Sequence, residues 1–468
     1  MAALIAVIVV VRAVQALLGP ELRAWHLVVP PELDARAIDA ASWPTWLAAE
    51  ERAFDTVRRE VTDRLAPEDR VAANRYFEAS PLNPARFETD WNRSFVMTPA
   101  GTPRGAVVLL HGMTDAPYSM RHLALLYRDR GFVAAVPRMP GHGTVPAGLT
   151  EVHWRDWLAA ARLAVREARA RAPDGPLHLV GYSNGGALAL TYAMDAIEDE
   201  RLARPDRIVL VSPMIGVTAF ARFAGIAGLP ALLPAFANAA WLGILPEFNP
   251  FKYNSFPVNA ARQSHLLTAA LQDQTRRLAD AGRLDRLAPV LTFQSVVDST
   301  VSTLAVVDAL YARLPANGSE IVLFDLNRDA KIGPLVAPSL DTAVERLLPA
   351  APQRFRMTVV TNAEPDSAEA IARSTPPGTT AAEETRIGLA WPRELFSLSH
   401  IALPFPLTDG LYGLAPDPAD RQGVALGALA PRGETGVLVM NLDALLRVSS
   451  NPFFPWMRAR IEEGIGRR

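Results

Sequence analysis

The chain has 468 residues, with 47 Lys plus Arg against 49 Asp plus Glu, a formal net charge of -2. That balance excludes recruitment of nucleic acid or of an acidic surface by bulk electrostatics. Hydrophobic residues make up 50% and charged residues 21%, too apolar for disorder. The length suits a main domain with insertions or a small second domain, and the absence of cysteine excludes disulfides, thiolate zinc sites and a cysteine nucleophile.

Residues 1–19 open the chain with an apolar run, Ala2 to Leu18, interrupted by Arg12 and Gln15. A spanning helix needs about 20 apolar residues, and a secretory signal wants positive charge ahead of the run. The segment is expected to be a membrane anchor, which would make the protein membrane-associated through its N-terminus. A degenerate signal peptide on an exported chain, or an amphipathic helix packed on a cytoplasmic domain, are the alternatives. Residues 20–104 read as a helical arm, with a charged surface helix over Glu50 to Leu65 and a loop over Glu78 to Trp91.

From Gly105 the pattern changes to short apolar runs ending in turn residues. They cover Ala106 to Leu110, Phe132 to Val136, Leu177 to Val180, Arg207 to Val211, Pro289 to Val297 and Glu320 to Leu326. Runs this short and apolar on both faces read as buried parallel strands. Helical stretches alternate with them: Tyr118 to Arg130, Trp154 to Arg171 with Thr150 as a cap, Asn184 to Ile197, and Thr300 to Leu314. This predicts an α/β fold, a mostly parallel sheet flanked by helices, with its site at the carboxyl ends of the strands.

Residues 105–213 and 289–468 form the two parts of that core. Between them, residues 214–288 contain no convincing strand and are expected to be a helical cap. The cap's first half carries Phe220, Phe223, Leu229, Leu232, Leu233, Phe236 and Trp241, and an amphipathic helix spans about Ala260 to Leu278. A second insertion, about 331–394, holds one strand candidate, Arg356 to Thr361, and a loop over Glu364 to Glu384. A last helix is expected to begin at Asn451-Pro452.

Gly181-Tyr182-Ser183-Asn184-Gly185 matches the nucleophile elbow G-x-S-x-G, here between an apolar strand and an Ala/Leu-rich helix. Only small residues, Gly181 and Gly185, fit beside a serine held on so sharp a turn. The fold's chain order is Ser, acid, His. Of the eight histidines only His265 and His400 follow Ser183, and only His400 follows Asp298, the aspartate at the end of the fifth run. Ser183, His400 and Asp298 are therefore the expected nucleophile, base and acid. Asp325, at the end of the next run, is the alternative acid. An oxyanion hole needs two convergent backbone N–H groups, expected from Asn184 and Met113. His111 is expected to be a buried, structural ring.

Together with Pro140-Gly141-His142-Gly143, these motifs resemble the α/β-hydrolase superfamily, in its bacterial carboxylesterase and monoacylglycerol-lipase-like branch, often labelled serine-aminopeptidase-like. The resemblance covers about Gly105 to Leu326 plus the segment around His400. It implies a core sheet of about eight strands, a helical cap before the acid, and no metal or other cofactor. It also implies hydrolysis of small-molecule or lipid esters, His142 lining the entrance without taking part. Acyl transfer, amide hydrolysis or a catalytically silent binding role are the alternatives. The interval from Asp298 to His400 is longer than the family's usual spacing, and the N-terminal arm has no counterpart in small esterases.

Overall fold

The computed structural model describes residues 14, 17–216, 234–298, 300–330, 347, 352–393, 395–420, 423–427 and 450–466. The arm supplies α1 (Ala24–Leu27), α2 (Ala35–Ala40) and α3 (Trp43–Val57), followed by a short edge strand, β1 (Phe95–Met97). The core then alternates β2 (Gly105–Leu110), α4 (Arg121–Asp129), β3 (Phe132–Val136), α5 (Trp154–Arg171), β4 (Leu177–Tyr182), α6 (Asn184–Glu198) and β5 (Arg207–Val211). After it come β6 (Trp241–Gly243), β7 (Phe256–Pro257), the long α7 (Val258–Asp280), β8 (Val290–Ser295), the single turn α8 (Thr303–Ala305) and β9 (Glu320–Phe324). Three more strands, β10 (Arg356–Asn362), β11 (Glu369–Thr375) and β12 (Glu383–Ala390), precede α9 (Phe454–Ile465).

Ten strands form one sheet in the order β1-β3-β2-β4-β5-β8-β9-β10-β11-β12. The middle of the sheet, from β3 to β10, is parallel, and β1, β11 and β12 run antiparallel to their neighbours. Strand β2 explains the unbroken apolar run. Its Ala106, Val108 and Leu110 pack into a core shared with α5, α6 and α7, while Val107 and Leu109 pack on the opposite face with α4 and α9.

The sheet is wider than the eight strands expected, because the 331–394 insertion extends it. Beyond the strand foreseen at Arg356, the stretch expected to be a loop contains β11, paired with β10, and the start of β12, paired with β11. Residues 214–288 hold a two-stranded sheet, β6 with β7, where no strand was expected. Phe220, Phe223, Leu229, Leu232 and Leu233 lie outside the described residues; Trp241 is buried against the arm's His26, ring centroids 4.9 Å apart. The helix expected at Thr300 to Leu314 is broken into α8, a π turn and a 3-10 turn. Helix α5 is entered from His153, whose N–H donates to Asp156, rather than from Thr150. Asn451 caps a turn into α9, its Oδ1 accepting the Phe453 N–H at 2.8 Å, and the helix starts two residues later than expected, at Phe454 rather than Pro452.

Two expectations for the N-terminus are corrected. Among the described residues no helix is long and apolar enough to cross a membrane, against the anchor expected at residues 1–19. The run from Ala2 to Leu18 is shorter than the about 20 residues a span usually takes and carries Arg12; residues 1–13, 15 and 16 lie outside the described residues. Nor is the helix around Glu50 a free surface element. Glu50 faces inward and is 3% exposed. It accepts from Arg138 Nε at 3.1 Å and from the Ser94 N–H and hydroxyl at 3.0 and 2.7 Å. Glu32 takes the other end of the same guanidinium, at 2.6 and 2.9 Å, and accepts the Gly141 N–H at 2.9 Å. The arm is thereby fastened to the Pro140–Gly143 loop by a buried ion triad.

Candidate active site

Ser183 sits between β4 and α6 with φ 54° and ψ -117°, a left-handed conformation that few non-glycine residues adopt. Neighbouring chain holds it there. The Ser183 N–H donates to Val211 O at 3.0 Å, and its carbonyl accepts from Gly186 and Met214 at 2.9 Å each. Small residues are required around it. A Cβ on Gly181 would collide with the Gly185 carbonyl, one on Gly185 with the Leu110 carbonyl, and one on Gly186 would stand 2.7 Å from Pro213 Cβ.

His400 Nε2 lies 2.9 Å from Ser183 Oγ, and its Nδ1 lies 2.8 Å from Asp298 Oδ2. Three residues far apart in sequence meet at the carboxyl ends of β4 and β8. The carboxylate can only accept, so Nδ1 carries the proton and Nε2 is left to accept from the serine hydroxyl. Burial pushes the Asp298 carboxyl up, but the hydrogen bond and charge of His400 and the N–H groups of Val301 and Thr300 outweigh it. The net position is below the usual carboxylate range.

The long interval before His400 is accounted for by β10 to β12, which carry the chain out along the sheet and back. Asn327, just after β9, closes the excursion. Its Nδ2 donates to Leu395 O at 2.6 Å and Pro392 O at 3.0 Å, and its Oδ1 accepts from Asn362 at the end of β10 at 3.0 Å. Tyr182 adds a support, its hydroxyl 3.4 Å from the His400 carbonyl oxygen and its ring 5.4 Å from the imidazole. Neither residue was foreseen; the residue beside the nucleophile and the asparagine ending β9 were the only signals. Asp325 does not reach His400. It is buried and accepts from Thr361 at 2.9 Å.

On the opposite side of Ser183 lies the loop after β2. Gly112 is pressed against Ser183, where a Cβ would stand 3.2 Å from Ser183 Cβ. His111 is fully buried, its Nδ1 donating to Gly112 O at 2.9 Å and its Nε2 accepting from the Met139 N–H at 3.0 Å. Burial first, then the nearby Arg138, hold its pKa at about 4, so the ring stays neutral. Asp115 folds back on this loop, its Oδ2 3.4 Å from the Gly112 N–H. Asn184 is buried at the first turn of α6, and Met113 is half-buried in the loop. Among the described residues neither backbone N–H is used in a hydrogen bond, so both donors are available. His142 is buried, its Nδ1 3.1 Å from Pro140 O, and His265 lies on α7.

The only grouping of potential metal ligands among the described residues is His122, Asp409 and Asp420, outside this site. Arg121 ion-pairs with both carboxylates and fills the place a cation would take.

Residues 101–326 match the family model described as serine aminopeptidase, S33. A thermostable monoacylglycerol lipase of Bacillus sp. (strain H-257) is 29% identical over 220 residues, covering 46% of this chain and 79% of the relative. Solved structures similar to the chain include a monoacylglycerol lipase of Paleococcus ferrophilus, at 18% identity and TM-score 0.37, covering 55% of this chain and 98% of that one. A soluble variant of the Saccharomyces cerevisiae monoglyceride lipase follows at 15% identity and TM-score 0.39, covering 49% of this chain and 81% of that one. The parallel sheet with its strand-to-helix elbow gives this chain an α/β-hydrolase fold, and over residues 101–326 it is an enzyme similar to the serine aminopeptidase S33 family.

Proposed function

We propose that the protein is a serine hydrolase that cleaves carboxylic esters, with Ser183 as nucleophile, His400 as general base and Asp298 as the acid that orients the imidazole. The observation that carries this reading is the unbroken run from Ser183 Oγ to His400, 2.9 Å, and from His400 to Asp298, 2.8 Å. His400 takes the hydroxyl proton as the serine oxygen attacks the acyl carbon. The N–H groups of Met113 and Asn184 receive the developing oxyanion, each worth about 3 kcal/mol of barrier. His400 then gives its proton to the leaving alcohol. Water, deprotonated by the same imidazole, hydrolyses the acyl-enzyme.

An ester with an apolar acyl or lipid-like part suits the sequence of residues 214–288, which would cap the site. The monoacylglycerol lipase name of the Bacillus relative points the same way. A fluorophosphonate probe followed by peptide mapping tests the reading. Label on Ser183, lost in Ser183→Ala together with hydrolysis of short and long nitrophenyl esters, is expected. Ester turnover retained by Ser183→Ala would overturn it.

A further inference from the structure

We infer that Gln294 is a positioning residue of the active site, one that fixes the orientation and basicity of the Asp298 carboxylate. The inference rests on the catalytic roles proposed above. Gln294 is the fifth residue of β8, and its side chain is fully buried. Its Nε2 donates to Asp298 Oδ2 at 3.0 Å and to Thr303 Oγ1 at 3.1 Å, and lies 3.5 Å from Ser295 O. The amide orientation follows from these partners. A carboxylate and a carbonyl oxygen can only accept, and the Thr303 hydroxyl spends its proton on Ser295 O at 2.9 Å. A flipped amide would set its oxygen against the Asp298 carboxylate.

Oδ2 of Asp298 therefore has two donors, His400 Nδ1 and Gln294 Nε2, while Oδ1 accepts the Thr300 and Val301 N–H groups at 2.8 and 3.0 Å. With both oxygens held, the carboxyl group cannot turn about its Cβ–Cγ bond, and Oδ2 stays aimed at the imidazole. A neutral donor also spreads the charge on Oδ2 without neutralising it, which moderates the pull on the His400 proton. Thr303 holds the amide from its far side, so the turn after β8 and the end of that strand are tied together at the acid. Gln294 gives something up for this. Its Oε1 is buried and has no hydrogen-bond partner among the described residues, an arrangement that packing alone would not select. The titratable groups facing the Asp298 carboxylate are His400 and Tyr182.

Two variants test the inference. Gln294→Met keeps the side-chain shape and removes the donor; kcat for an ester substrate is expected to fall about tenfold with KM within about twofold. Gln294→Glu places a second carboxyl against Asp298 and is expected to move the acidic limb of the kcat/KM profile upward by about one pH unit. A structural role alone would lower the melting temperature and leave both readouts in place. The inference is overturned if a folded Gln294→Met keeps the kcat of the parent. If that variant does not fold, the pH profile of Gln294→Glu decides, and an unmoved acidic limb overturns it. Ser183→Ala assayed beside them separates the two ideas. Activity surviving there defeats the catalytic assignment itself, whereas loss there with an unaffected Gln294→Met defeats only the role of Gln294.

Discussion

Gly185, in the first turn of α6, lies so close to Leu110 at the end of β2 that a single added carbon would run into the Leu110 carbonyl oxygen. The contact joins the helix that follows Ser183 to the strand whose loop faces it. Backbone rather than side chain is in the way, so the neighbour cannot yield cheaply. Gly185→Ala is expected to lose soluble folded protein or, where folded, esterase activity by more than about a hundredfold. Circular dichroism and ester turnover of the purified variant check this; a stable, fully active Gly185→Ala would show that the elbow can relax.

In the proposed mechanism Asp298 acts on the chemistry only through His400. Asp298→Asn keeps the shape but presents an N–H or a neutral oxygen to Nδ1, favouring the wrong imidazole tautomer. A loss of about ten-thousandfold in kcat with little change in KM is expected. Steady-state kinetics check it, and a loss expressed mainly in KM would mean that the aspartate serves binding instead.

The buried triad of Arg138, Glu32 and Glu50 ties the arm to the loop at Pro140. Burial raises the Glu50 carboxyl, whereas the two carboxylates hold Arg138 firmly charged. Glu50→Gln would leave that guanidinium short of a counter-charge. Removing one partner of a buried pair costs about 3–5 kcal/mol, so the urea midpoint of Glu50→Gln is expected to drop clearly. A midpoint equal to the parent's would mean that the arm adds no stability through this contact.

His178 on β4 is buried against Tyr127 and Phe132, its Nδ1 3.2 Å from the Tyr127 hydroxyl. Burial, and then Arg207, lower its pKa from 6.5 to about 3. Between those values the unfolded chain binds a proton that the folded chain refuses, so this residue makes stability fall as pH drops from about 6.5 toward 3. His178→Gln removes that dependence. Denaturant midpoints at about pH 7 and about pH 4.5 should lie closer together in the variant than in the parent; an unchanged gap would place the proton uptake elsewhere.

Strands β2 to β5, β8 and β9 are legible in the sequence because each is covered on both faces, and continuous burial writes an unbroken apolar run. The elbow is legible for a related reason: steric crowding admits only glycine at positions 181 and 185. His400 is found by chain order alone, there being no other histidine beyond Asp298.

Other features are written in no local pattern. Strand β12 is almost wholly exposed, with Glu383, Glu384, Thr385 and Arg386 facing solvent, and is held by backbone pairing to β11. Its side chains carry no alternation to read. Glu50 looks like one more charge on a polar helix until Arg138, 88 residues away, neutralises it. Gln294 looks like a polar interruption of an apolar strand until Asp298 comes within hydrogen-bonding reach, and Asn327 matters only because the chain returns beside it at Leu395. The amino-acid sequence by itself determined which segments would be buried and which residue types could perform the chemistry, since burial and steric exclusion act on each residue locally. Tertiary structure alone decided which polar groups found partners, because the energy of a buried charge or amide depends on atoms brought to it from elsewhere in the chain.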